Sequence, residues 1–305
     1  MNKDSNISVP QDGTLIFNGE LTLQQQSRMT LLEEAVIKAD SIKLESTATI
    51  EINGGRWIIA DKIQLFGASS IQFIKSGALN RTTVDLYEES MIVANEFNSQ
   101  QKYTDAVITF HNNSRFKGKR SGNLAGYSSF TFRDNAILDL TESLIFYCGD
   151  LVMTDNTQII GISTVELDGN EFYFGKNSSI VLQDTSILTN PFISILNDAI
   201  FDDNFTLYCD RNATVSLNNL WMRGNSAIVA KNRCNIILVP TEWSDYQEGG
   251  NFLIEENAQI RLYDKSIIIP DKGNLARGNS VLLLNDRATL FAVSTDFREN
   301  ARMEI

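Results

Sequence analysis

The chain has 305 residues, with 26 Lys plus Arg against 38 Asp plus Glu and a net charge of −12; that length suits one elongated domain or two compact ones. An acidic chain repels phosphate backbones and anionic membrane surfaces, which excludes nucleic acid as a partner. No apolar run reaches the 18 residues of a membrane span, so no membrane insertion is expected.

The N-terminal stretch MNKDSNISVPQDG has no apolar signal core. Residues 1–13 are expected to cap one end of whatever follows. Beyond them a period of 21 residues sets in. Leu21, Ile42, Ile63 and Val84 form one column, and Leu23, Leu44, Leu65 and Leu86 form the next. Ile16, Ile37, Ile58 and Leu79 make a third; Met29, Ile50, Ile71 and Ile92 a fourth, beside Leu31, Ile52 and Phe73. The segment TLLEEAVIKA at 30–39 imitates a helix opened by a capping box, Thr30 with Glu33. Its Leu31 and Ile37 belong to the columns, and the paired apolar positions alternate with period two, so strand is expected there.

The phase slips by four residues between Val84 and Phe130, and the polar stretch at 95–105 is the expected place for the extra residues. From there the step of 21 runs through Asn135, Asn156, Asn177, Asp198 and Asn219, and through Leu138, Ile159, Ile180, Phe201 and Met222. Further columns hold Leu144, Val165, Ser186, Leu207 and Ile228, then Phe146, Leu167, Leu188, Cys209 and Ala230, then Met153, Phe174 and Ile195. Apolar pairs at 138/140, 144/146 and 151/153 give three short strands per repeat. Columns at a constant step place each repeat over the last, strand on strand, parallel and in register. Stability then comes from stacking, because no single coil buries its apolar face alone. Roughly fourteen coils at about 4.8 Å each predict a rod about 70 Å long. The Asn column is expected at a corner that needs left-handed backbone, as a structural ladder of stacked amides and not a binding site.

Columns such as DNAILDL, DNTQII and KNSSIVL, with three strands per coil and an Asn ladder, resemble the right-handed parallel β-helix of pectate-lyase-like proteins and autotransporter passenger domains. The resemblance implies an all-β, single-domain solenoid. Enzymes of that architecture act on acidic or neutral polysaccharides with carboxylates, an Arg or Lys, and sometimes calcium. The galacturonan hydrolases among them carry N-T-D, D-D and G-H-G motifs, of which only Asp202–Asp203 occurs here.

Regularity weakens after Pro240: TEWSDYQEGG at 241–250 breaks the step and carries Trp243, Asp245, Tyr246 and Glu248. A loop on a rigid scaffold is where function concentrates, and Trp and Tyr beside carboxylates suit a sugar ring; a Trp that packs back on the scaffold is the plainer alternative. Asn257 and Asn279 restore the pattern at a step of 22, and FRENARMEI at 297–305 is expected to cap the second end.

Chemistry is sparse. Cys148, Cys209 and Cys234 form an odd, widely spaced trio, which reads as no disulfide framework and no zinc site. His111, the single histidine, is expected to be a solvated strand-end residue. Asp202 and Arg223 share an outward column with Asp139, Ile160 and Val181, so they should face each other on adjacent coils. As an acid–base pair they and Asp203 are the candidate catalytic residues; as an exposed ion pair they need no function. Ser143, Thr164, Thr185 and Thr206 form an outward ladder explained by β-propensity. No metal site or cofactor is expected. Three functions fit: a secreted or surface-displayed non-catalytic scaffold that binds a glycan or protein surface, a polysaccharide lyase or hydrolase, or an intracellular structural or effector rod.

Overall fold

A computed structural model describes residues 5–54, 57–75, 78–80, 82–94, 106–119, 129–142, 145–148, 151–160, 164–167, 172–174, 179–182, 187–189, 198–210, 212–217, 219–238, 252–270, 274–290 and 295–305. The chain divides into two compact units, Met1–Asp150 and Leu151–Ile305. Each is a parallel β-solenoid, and no helix occurs among the described residues.

In the N-terminal unit a first sheet stacks seven parallel strands, from Asn6–Val9 through Thr49–Ile52 to Ile137–Glu142. The expected columns are its register: Met29 pairs with Ile50, Ile50 with Ile71 and Ile71 with Ile92. The second sheet matches Leu21, Ile42, Ile63 and Val84 in the same way. All these side chains are buried, and each contributes about 1.5–3 kcal/mol of apolar transfer. The segment at 30–39 is strand, as the columns require: Arg28–Leu31, a turn, then Val36–Leu44.

Val36–Leu44 and Trp57–Leu65 are continuous nine-residue strands. Ile37 and Ile42 both face inward, five residues apart. An odd separation inverts the pleat, so the chain bends around Asp40 and one strand serves two sides of the coil. Three separate strands per coil are therefore not the rule in this unit, and the picture of some fourteen equal three-strand coils is corrected. The column of Ile37 takes Leu15, not Ile16, because the first step is 22; Ile16 faces outward and is 61% exposed. The four extra residues fall as three between Val84 and Ile108 and one between Ile108 and Phe130. The stretch 95–105 lies outside the described residues.

The C-terminal unit has three sheets. Inward columns run Ile159, Ile180, Leu207, Ile228, Ile260, Leu282 and Met303 in the first. The register of the second runs through Met153, Phe174, Phe201, Met222, Ile254, Ala276 and Phe297. That of the third runs through Val165, Leu188, Val215, Ile236, Ile268 and Leu290. Ile180 therefore pairs with Leu207, 27 residues on, and not with Phe201. Six additional residues enter between Ile180 and Phe201, two before Leu188 and four after it, an interruption that the step of 21 overlooked. The stretches at both ends of the chain hold solenoid strands, Asn6–Val9 and Thr14–Ile16 at one, Arg302–Glu304 at the other. Met303, the last residue of its inward column, is 42% exposed.

The Asn ladder exists but takes a different route. Asn135 and Asn156 sit in the turns before first-sheet strands, as expected, and Asn177 lies outside the described residues. Asp198 and Asn219 instead open second-sheet strands, where they pair with each other. The turn column continues through Asn204, Asn225, Asn257, Asn279 and Asn300, each of the last four donating its amide to the preceding Asn Oδ1 at 3.1–3.3 Å. The same slip dissolves the Thr ladder. Thr164 belongs to the third sheet and Thr206 to the first, while Ser143 and Thr185 lie outside the described residues.

The residue before each ladder Asn adopts left-handed backbone, at Asp134, Asp155, Asp203, Gly224, Glu256, Gly278 and Glu299. Glycine and glutamate alternate here for a reason. The amides of Gly224 and Gly278 donate to the carboxylates of Glu256 and Glu299 on the following turn, both at 2.8 Å. A Cβ on either glycine would lie 2.7 Å from the backbone nitrogen of the turn beneath. Cys209 and Cys234 form a disulfide between the first and third sheets, with both residues buried and Cα atoms 5.8 Å apart. This corrects the reading of the cysteines as unpaired. Their separation of 25 puts both inside adjacent turns.

Candidate functional site

The strand Asn219–Met222 lies in the second sheet between Asp198–Phe201 and Phe252–Ile254. Those neighbours follow the two longest insertions of the unit. The register steps are 27 from Leu188 to Val215 and 32 from Ile236 to Ile268. The second insertion contains Trp243, Asp245, Tyr246 and Glu248, which lie outside the described residues. The described inward residues of these three strands, Phe201, Leu220, Met222 and Ile254, are apolar and buried. Alternation therefore turns Tyr173, Ile200, Trp221 and Leu253 outward in one register column, half-buried.

The residue after each strand adds a charge: Asp202, Arg223, Glu255 and Arg277 on successive turns. Arg223 donates to Asp202 Oδ2 from Nε at 2.8 Å and from Nη2 at 2.7 Å. Asp202 and Arg223 thus face each other as the sequence indicates. Asp139 and Val181, assigned to the same column, belong to the first sheet. Asp139 is buried and pairs with Arg115.

Asp202 accepts two further bonds. The Tyr173 hydroxyl donates to Oδ2 at 3.4 Å and the Asp203 backbone amide to Oδ1 at 2.7 Å. Its side chain is only 14% exposed. A carboxylate offers about four acceptor sites; three of these contacts crowd Oδ2 and one reaches Oδ1, which keeps a lone pair open. The bond to Asp202 raises the Arg223 pKa above its usual range. Burial, then the neighbouring Asp202, raises that of Tyr173. Asp203 supplies the left-handed turn, and its exposed carboxylate adds to the charge that raises the Tyr173 pKa.

Trp221 completes the arrangement. The Arg223 guanidinium carbon lies 4.9 Å from its ring centroid, a cation–π contact. The indole Nε1 donates to Glu255 Oε2, and Glu255 is also ion-paired with Arg277. Glu255, 10% exposed at its side chain, is held as firmly as Asp202. Chemically the strip is an aromatic column bordered by two compensated ion pairs. It suits holding a partially apolar, hydroxyl-rich surface better than moving a proton.

Elsewhere the candidates thin out. His111 is half-buried and its ring stacks on Tyr87 at 4.7 Å, while Tyr87 stacks on Phe66 at 5.0 Å. It is part of an aromatic ladder and not simply a solvated strand end. Among the described residues no group of three or more His, Cys, Asp or Glu is placed to hold a metal ion. Trp221, Tyr173 and Glu255 escaped the sequence reading. The signal that finds them is the register step of 27, which aligns Tyr173 with Ile200 and Trp221.

No family model matches the chain, and no curated protein or solved structure matches it either.

Proposed function

We propose that the chain is a non-catalytic binding scaffold, exported to the cell surface or beyond, whose recognition face is the outward second-sheet strip of the C-terminal unit. The observation that carries this reading is the pairing of outward aromatics, Tyr173 and Trp221, with carboxylates that are already engaged by arginines and hydrogen bonds. A general base needs a free lone pair within reach of the proton it removes. Oδ2 of Asp202 has none, being held by Arg223 and Tyr173, which favours adhesion over turnover. Aromatic rings with polar handles are the usual surface for a sugar face or a protein hot spot, and a glycan is the ligand we favour.

Export is supported by the Cys209–Cys234 disulfide, since such bonds persist mainly in oxidising compartments. That bond also weighs against an intracellular rod. We read the solenoid as right-handed, the hand that joins parallel strands in nearly all proteins. We further read it as akin to pectate-lyase-like and passenger-type β-helices. A glycan array run beside a uronide lyase assay tests the function. Binding without unsaturated product is expected; turnover abolished by Asp202→Ala would make the protein a lyase instead.

A further inference from the structure

We infer that the ligand of this strip is a neutral glycan and not a polyanionic one. The inference rests on the reading of the strip as a recognition face and goes on to its specificity. Four charged side chains border the aromatic column, and they cancel in pairs. Arg223 is consumed by Asp202 and Arg277 by Glu255. A site for uronate or sulfate needs cationic hydrogen-bond donors whose charge no carboxylate already neutralises. Here each guanidinium already holds a carboxylate. A bound anion would have to share that guanidinium with Asp202 or Glu255, against the repulsion of a mostly buried carboxylate beside it.

The surroundings act in the same direction. The chain carries a net charge of −12, so a polyanion meets long-range repulsion before it reaches the strip. Neutral sugars meet neither obstacle. Each hydroxyl is donor and acceptor at once, so an ion pair with residual lone pairs and N–H groups offers it both functions along one edge. The rings of Tyr173 and Trp221 supply the apolar surface against which a pyranose face packs. Tyr173 and Trp221 stand two turns apart, with Ile200 between them. At about 4.8 Å per turn that gives a spacing of about 10 Å, enough to reach along more than one sugar residue.

The test compares neutral oligosaccharides with carboxylated and sulfated ones, immobilised at equal density, at about 0.02 M and about 0.5 M salt. Wild-type full-length protein is read beside Trp221→Ala, and beside Arg277→Gln in case the tryptophan variant does not fold. Expected is binding to a neutral glycan that changes less than about twofold with salt. Charged counterparts should bind at least about tenfold more weakly at low salt, the gap narrowing as salt screens the repulsion. Tighter binding of a charged glycan that weakens with salt and is lost in either variant would overturn the inference while leaving the recognition face in place. Binding of neither class, or binding that both variants retain in full, would remove the recognition face itself and the inference with it.

Discussion

Asn225 donates its side-chain amide to Oδ1 of Asn204, 3.1 Å away and one turn earlier, and accepts at its own Oδ1 from Asn257 at 3.2 Å. From Asn204 to Asn300 each turn is tied to the next by such a bond at the same corner. The bonds are exposed, so each is expected to contribute about 1 kcal/mol net. Asn225→Ala should cost about 1–2 kcal/mol in chemical denaturation, because it breaks the ladder on both sides. An unchanged midpoint would show that solvent replaces these bonds without loss.

The glycines of the same corner offer a sharper contrast. Gly224→Ala and Gly278→Ala place a Cβ 2.7 Å from the Asp203 and Glu256 backbone nitrogens, in a left-handed conformation that already costs an L-residue about 1–2 kcal/mol. Each should destabilise by at least about 2 kcal/mol. Gly19, at φ 123° with nothing near its missing Cβ, should lose only the conformational part on the same substitution. Thermal unfolding of the three variants side by side checks the ranking.

The Cys209–Cys234 bond closes a separation of 25 residues across two turns. By loop-closure entropy it should contribute about 3 kcal/mol. Unfolding with and without reductant, with Cys234→Ser as the control that no longer responds, measures it.

Much of this was legible in the sequence, and the part that was not failed for a physical reason. In the N-terminal unit the columns of Leu21, Leu23 and Met29 are the observed register. There the steps are constant, and apolar residues recur at an inward position of a uniform coil. The slip between Ile180 and Phe201 was hidden because the inserted residues total six, which equals the spacing from Phe201 to Leu207, the inward positions of two consecutive strands. Apolar therefore still met apolar when the wrong strands were aligned, and Asp198 and Asn219 imitated the continuation of the Asn ladder. The disulfide was illegible for a related reason. A separation of 25 has meaning only once Cys209 and Cys234 are placed inside adjacent turns. The pairing of Asp202 with Arg223 survived because no insertion falls between them.

Tyr173 makes the strip sensitive to alkali. Burial and Asp202 raise its pKa above the ordinary 10.0, so the phenol is held neutral in the folded state. A group whose folded pKa is raised contributes stability in full below its unfolded value and loses it as pH climbs through the folded value. Stability should therefore fall above about pH 10, and Tyr173→Phe should flatten that part of the curve. Denaturation midpoints taken from about pH 8.5 to 11 in both proteins decide it. Parallel curves would detach Tyr173 from Asp202.

The central claim is that ligand is held against Trp221. Of the three tryptophans, Trp57 and Trp243 can be replaced by Phe, leaving Trp221 as the only indole emitter. Titrating this protein with a glycan that it binds should shift or quench the Trp221 emission along the binding isotherm measured independently. Full binding with no change in that emission would contradict the assignment of the face.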